Sequence, residues 1–330
     1  MSSLSEIRQD LVSGAWVVIA TGRAKRPDDF KNKKDQKPNE NGGECFFCDM
    51  SKQAKPVLVY EKSKGDWTVA VVPNKYPAFD YSKKLDRRTE GPFSVVNGVG
   101  YHEVIITRDH AKHIALMSTV QVMEIINAYQ ERYLNLMNKR FVDYISIFHN
   151  HGKEAGASVN HPHSQLIAMP VIDPDVYRSL NGSDNYWHQN KECVHCVMID
   201  WEKENKKRVI FENKDFIAFC PFASRSAFEA RIYPKFHAPY FERITPAGKI
   251  QLAEALRIVL AKINIGLDNP PYNFFLHTAP CDGKDYPHYH WHFEIMPKTS
   301  IWAGFELSTG IEISTIEPEK AAEFLREQKV

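Results

Sequence analysis

Residues 161–165 read His161-Pro162-His163-Ser164-Gln165, and residues 288–292 read His288-Tyr289-His290-Trp291-His292. Each stretch closes a series laid down earlier in the chain. Upstream of the first lie Cys45-Phe46-Phe47-Cys48 and His110; upstream of the second lie Cys193-Val194-His195-Cys196 and His237. His110 precedes His161 by 51 residues, and His237 precedes His288 by 51. The Cys pairs are offset by 148 residues, as are the apolar runs ending at Pro73 and Pro221, whereas the later histidines are offset by 127. Two copies of one unit follow, with about 21 extra residues in the first copy, roughly between Asn74 and Gly100.

Two cysteines two residues apart, followed by two distant histidines, are a donor set for tetrahedral zinc. Cys45, Cys48, His110 and His161 make one predicted Zn2+ site, and Cys193, Cys196, His237 and His288 a second. His102, His113, His195 and His277 are competing ligands that spacing does not exclude. Within an extended segment His161, His163 and Gln165 project to one side, and Pro162 predicts an edge or irregular strand. A neutral imidazole there can attack a phosphorus while a neighbouring amide donates to a phosphoryl oxygen. The Gly- and Ala-rich run from Asn150 to Ser158 offers backbone donors for phosphate.

Around these residues the chain reads as an ordinary globular protein. Its 330 residues are 43% hydrophobic with a formal net charge of +1, which gives no field for nucleic acid or an anionic membrane. Neither a leader-type apolar stretch nor a membrane-length apolar run is present, so a soluble, cytoplasmic protein is expected. Strand patterns fall at Trp67–Val72, Tyr101–Thr107 and Tyr144–Phe148. Ser118 with Gln121 predicts a capping box before a helix carrying Ile125, Ile126, Tyr129 and Tyr133, and Thr245-Pro246 starts its counterpart in the second copy. The predicted fold is α+β, with two tandem histidine-triad-like domains, 1–175 and 176–330, each an antiparallel sheet with flanking helices.

HPHSQ, the downstream HYHWHFEIMP, the opening WVVIATGRAKRP and the late AGFEL together resemble the galactose-1-phosphate uridylyltransferase family of the histidine-triad superfamily, over about residues 8–328. The resemblance implies a homodimer and a ping-pong exchange of UMP between UDP-glucose and galactose 1-phosphate through nucleotidyl-His163. It implies Gln165 as the phosphoryl-oxygen donor and Asn150 and Ser158 at the diphosphate. Asn74 would lie near the nucleoside, Arg23 and Arg26 near nucleotide phosphates, and Phe305 and Glu306 at the hexose across the dimer. The chain departs from the bacterial members in having Ser300-Ile301 where they keep Lys-Phe, and in its second Cys pair. Both features resemble the related ADP-glucose phosphorylases, in which inorganic phosphate accepts AMP. Two further readings are a dinucleotide hydrolase using His290 as nucleophile and a zinc-stapled nucleotide-binding protein without catalysis.

Overall fold

The computed structural model describes residues 5–20, 30, 45–81 and 84–330. Its strands are β1 (Glu6–Gln9), β2 (Trp16–Ile19), β3 (Leu58–Ser63), β4 (Asp66–Pro73), β5 (Arg87–Glu90), β6 (Phe93–Val96), β7 (Tyr101–Thr107), β8 (Tyr144–His151), β9 (His163–Met169), β10 (Val209–Glu212), β11 (Phe216–Phe219), β12 (Ala230–Pro234), β13 (Tyr272–His277), β14 (His292–Pro297) and β15 (Glu312–Ser314). The helices are α1 (Thr119–Leu136), α2 (Pro174–Asn190), α3 (Val194–Asn205), α4 (Pro246–Gly266), α5 (Gly304–Thr309) and α6 (Pro318–Glu327).

Ten strands form one sheet in the order β10-β11-β12-β14-β13-β8-β9-β7-β4-β3, and every pairing in it is antiparallel. The order reads the same from both ends once the copies are matched. The join is the pair β8 and β13, where Asn150 lies opposite Asn273. This is the α+β duplication that the sequence predicts. A smaller sheet brings the chain ends together, since β2 pairs with β1 and, in parallel, with β15.

Helices α1 and α4 cover one face of the large sheet. Ser118 Oγ accepts from Gln121 N–H while the Gln121 side chain accepts from Ser118 N–H, closing the capping box that starts α1. Thr245 caps α4, whose first residue is Pro246. Ile125, Tyr129 and Tyr133 of α1 pack with Leu252, Leu256 and Leu260 of α4 against Ile145, Leu166, Phe274 and Phe293 of the sheet. A buried bidentate pair, Arg132 with Glu103 at 2.7 and 2.8 Å, ties α1 to β7. The opposite face carries smaller apolar clusters, Ile199 of α3 on Ile217 and Phe219 and Phe47 on Val72, Val104 and Ile106, and it is the face that holds His102, His163 and Gln165.

One local expectation differs from the structure. Pro162 does not mark an edge: β9 lies between β7 and β8, and the proline stands just before the first paired residue, where its missing N–H costs no ladder bond. The Pro- and Asp-rich stretch after residue 170 is helical from Pro174, because Asp173 accepts from the N–H groups of Asp175 and Val176. The extra segment of the first copy carries the hairpin of β5 and β6. No described helix is long and apolar enough to cross a membrane.

Candidate active site and metal centres

The donor atoms of Cys45, Cys48, His110 and His161 lie within 4.8 Å of one another. Cys48 Sγ is 3.3 Å from His110 Nδ1 and 3.5 Å from His161 Nδ1, close to the roughly 3.6 Å edge of a zinc tetrahedron. His161 Nε2 donates to Thr107 O at 2.6 Å, so its Nδ1 lone pair faces the thiols. This donor set fits a structural metal.

The second group is Cys193, Cys196, His237 and His290. His290, not the predicted His288, completes it. Cys196 Sγ lies 3.5 Å from His237 Nδ1 and 3.6 Å from His290 Nδ1, while His237 Nε2 donates to Pro287 O and His290 Nε2 to Pro234 O. His288 instead places Nδ1 3.5 Å from Asp184 Oδ1. The strands explain the error. His163 opens β9 and His292 opens β14, each with Nδ1 donating to the carbonyl two residues earlier. His290 therefore matches His161, and the equal count of 51 to His288 is an accident of three alternating histidines. The same geometry leaves His290 without a free nitrogen, which removes it as a nucleophile. The two thiols share a hydrogen bond, which holds Cys193 far below the usual thiol range and pushes Cys196 far above it, so one proton is held between them.

Beside the first metal group, His163 is buried and its ring lies 5.0 Å from that of Phe47, which also touches His161. Burial lowers its pKa, against the opposing bond to His161 O, so the ring is held neutral. Nδ1–H donates to His161 O at 2.8 Å, and the Nε2 lone pair has no partner among the described residues. Gln165, two residues along the same face, has Oε1 2.8 Å from His102 Nε2. Asn150 has its Oδ1 held by Asn273 Nδ2 at 2.8 Å, and Asn273 Nδ2 also donates to Ala155 O. The loop from Asn150 turns through Gly156, whose φ of +85° places it in the left-handed region open to glycine. A cavity of about 360 Å³ runs along this face past Phe148, Asn150, Asn273, Phe275 and Trp302.

Other predicted residues are placed less centrally. Asn74 leaves β4 with its N–H on His102 O and its Nδ2 3.1 Å from His102 Nε2. Ser158 is exposed on the bend before His161. Phe305 and Glu306 lie on α5, where Glu306 caps Ala303 N–H; among the described residues neither bonds to or stacks on His163 or Gln165. Arg23 and Arg26 lie outside the described residues. His102 and Asn273 were not assigned to this site from sequence, although each interrupts the apolar alternation of its strand.

In the second copy the corresponding face is different. Glu294 takes the place of Gln165, bonded by Arg225 at 2.5 Å and lying 3.3 Å from both Arg231 and His292. Burial pushes its pKa up, but the two guanidiniums outweigh that and hold it ionised. His277, His292 and Glu294 converge as three donors, yet the carboxylate is already paired with buried Arg231 and partly buried Arg225. A carboxylate in that place cannot donate to a phosphoryl oxygen.

Residues 2–173 match the family description "Galactose-1-phosphate uridyl transferase, N-terminal domain". The chain belongs to the galactose-1-phosphate uridyl transferase family. Residues 93–328 also match a domain of unknown function, DUF4921. An ADP-glucose phosphorylase of Arabidopsis thaliana is 34% identical, with 98% of this chain and 92% of that protein covered. A galactose-1-phosphate uridylyltransferase of Thermotoga maritima is 28% identical over 99% of both. The crystal structure of an Arabidopsis thaliana ADP-glucose phosphorylase with bound ADP-glucose superposes with a TM-score of 0.84 at 30% identity, covering 99% of this chain and 100% of that one. A uridylyltransferase structure does so with 0.76 at 28%, covering 97% of both chains. Members of this family are nucleotidyltransferases, and this chain shares their scaffold from end to end.

Proposed function

We propose that the chain exchanges UMP between UDP-glucose and galactose 1-phosphate through a covalent adduct on His163. The observation that carries the reading is a neutral, buried imidazole with Nδ1–H bound to a carbonyl and Nε2 free, beside an amide whose oxygen is already taken. Nε2 attacks the α-phosphorus, the bond to the bridging oxygen breaks, and the hexose 1-phosphate leaves with that electron pair. The ring becomes cationic, and its Nδ1–H strengthens its bond to His161 O. Gln165 and Asn150 donate to the phosphoryl oxygens. An acceptor phosphate oxygen then attacks phosphorus, the P–N bond breaks, and the pair returns to Nε2.

A second reading keeps these steps but transfers AMP from ADP-glucose to inorganic phosphate. The 34% identity with the Arabidopsis phosphorylase, against 28% with the Thermotoga uridylyltransferase, favours it. An assay crossing UDP-glucose or ADP-glucose with galactose 1-phosphate or phosphate separates the two. Turnover confined to ADP-glucose plus phosphate supports the second.

The two Cys2His2 groups would each hold a zinc ion, which clamps the segment before His163 in one copy and before His292 in the other; fully protein-ligated, neither supplies an open position for water. Reduced cysteines of this kind suit the cytoplasm. Exposed Ile301, Trp302, Phe305 and Leu307 support a homodimer in which Phe305 and Glu306 reach a partner's hexose. Arg23 and Arg26 would contact nucleotide phosphates, Asn74 the nucleoside, and Ser158 the diphosphate. Units 1–175 and 176–330, each with one metal group, remain our division of the chain.

A further inference from the structure

We propose that His102 is a positioning residue that fixes which end of the Gln165 amide faces the reacting phosphoryl group. The inference rests on the reading of Gln165 above and adds what enforces it. A side-chain amide presents an oxygen at one end and NH2 at the other, and a half-turn about its last bond exchanges them. Only NH2 can donate to a phosphoryl oxygen. An amide without an anchor would lose part of its population to the repulsive orientation.

The anchor can be traced to a backbone group whose role is fixed. Ala78 N–H points at His102 Nδ1 at 3.1 Å, and a backbone N–H can only donate. Nδ1 is therefore an acceptor, so in the neutral ring Nε2 carries the proton. Asn74 Nδ2 lies 3.1 Å from that nitrogen but is itself a donor, its Oδ1 being occupied by Tyr76 N–H. The proton goes to Gln165 Oε1, 2.8 Å away. Gln165 Nε2 then has no acceptor among the described residues, which leaves both of its hydrogens available on the strand face that Gln165 shares with His163.

Ala78 belongs to the segment that the first copy has and the second lacks. In the second copy the counterpart of His102 is Glu229 and that of Gln165 is Glu294, with Arg231 bonded to both. The inserted segment thus contributes a specific backbone donor, and the pair it organises is the pair the second copy has lost.

The test uses the full-length protein and the two α-phosphorothioate diastereomers of UDP-glucose and of ADP-glucose, followed as the single-turnover rate of nucleotidyl transfer to His163. A donor aimed at one α-oxygen makes the enzyme prefer one diastereomer. Gln165→Ala should erase that preference. His102→Asn keeps an acceptor for Ala78 N–H but loses the reach to Gln165. It should also erase the preference and slow the oxygen substrate roughly 10- to 100-fold. His102→Gln, which can span both bonds, should restore both, and the His102→Asn/Gln165→Ala double variant should be no slower than Gln165→Ala. If His102→Asn slows both diastereomers equally and keeps the preference that Gln165→Ala loses, His102 does not position the amide. If Gln165→Ala itself keeps the preference, the reading of Gln165 fails and this inference with it.

Discussion

Asn273 Nδ2 donates to Asn150 Oδ1 at 2.8 Å across the β8–β13 pair, so a strand of the second copy orients an amide on the neighbouring strand of the first. The consequence is that the second copy reaches into the site proposed for the nucleotide sugar. Asn273→Asp removes the donor and sets a carboxylate against Asn150 Oδ1, which favours the flipped amide. The expected result is a KM for the nucleotide sugar raised by about tenfold, equivalent to ~1.4 kcal/mol, with Asn273→Ala intermediate. An unchanged KM in both variants would show that Asn150 is oriented by something else.

The metal groups predict two zinc equivalents per chain. His290→Ala should lose one of them and lower the thermal midpoint, whereas His288→Ala should keep both. Elemental analysis of the dialysed variants distinguishes them. Retention of two equivalents in His290→Ala with loss in His288→Ala would restore the ligand set predicted from spacing.

Arg132 and Glu103 are both buried and share two hydrogen bonds. Removing one partner strands the other charge, so Arg132→Met should lose about 3–5 kcal/mol in urea denaturation. The double variant Arg132→Met/Glu103→Leu should recover most of that loss. Equal destabilisation by the single and double variants would argue against charge stranding.

Buried His113 and His149 lie beside the half-buried His151, with the His113 and His151 rings 4.6 Å apart. Burial lowers the pKa of all three, His113 to about 4. Because the unfolded rings bind protons more readily, this part of the stability is complete above about pH 6.5 and is lost as the pH falls toward 4. For His113 it amounts to at most ~3 kcal/mol. Denaturation curves at pH 7 and 5 should show His113→Phe less acid-sensitive than the parent; identical pH slopes would contradict the assignment.

What was legible in the sequence follows the range of the interactions. The α1 capping box, the strand patterns and the Cys pairs depend on neighbours within a few residues, and the structure places them as read. The duplication showed because metal donors come from chemically unmistakable residues. His288 was mistaken for His290 because loop lengths between copies are free to differ, and only strand pairing fixes the register. His102 and Asn273 escaped because their role lies in partners 63 and 123 residues away, Gln165 and Asn150. Nothing local distinguishes an anchoring histidine from a spare ligand.

The most direct test of the account is the intact mass of the protein incubated with UDP-glucose or ADP-glucose in the absence of acceptor. A nucleotidyl increment should appear with one of the donors, map to His163, and be absent from His163→Gly with its metal content unchanged. No increment with either donor, or an increment that persists in His163→Gly, would contradict the covalent mechanism.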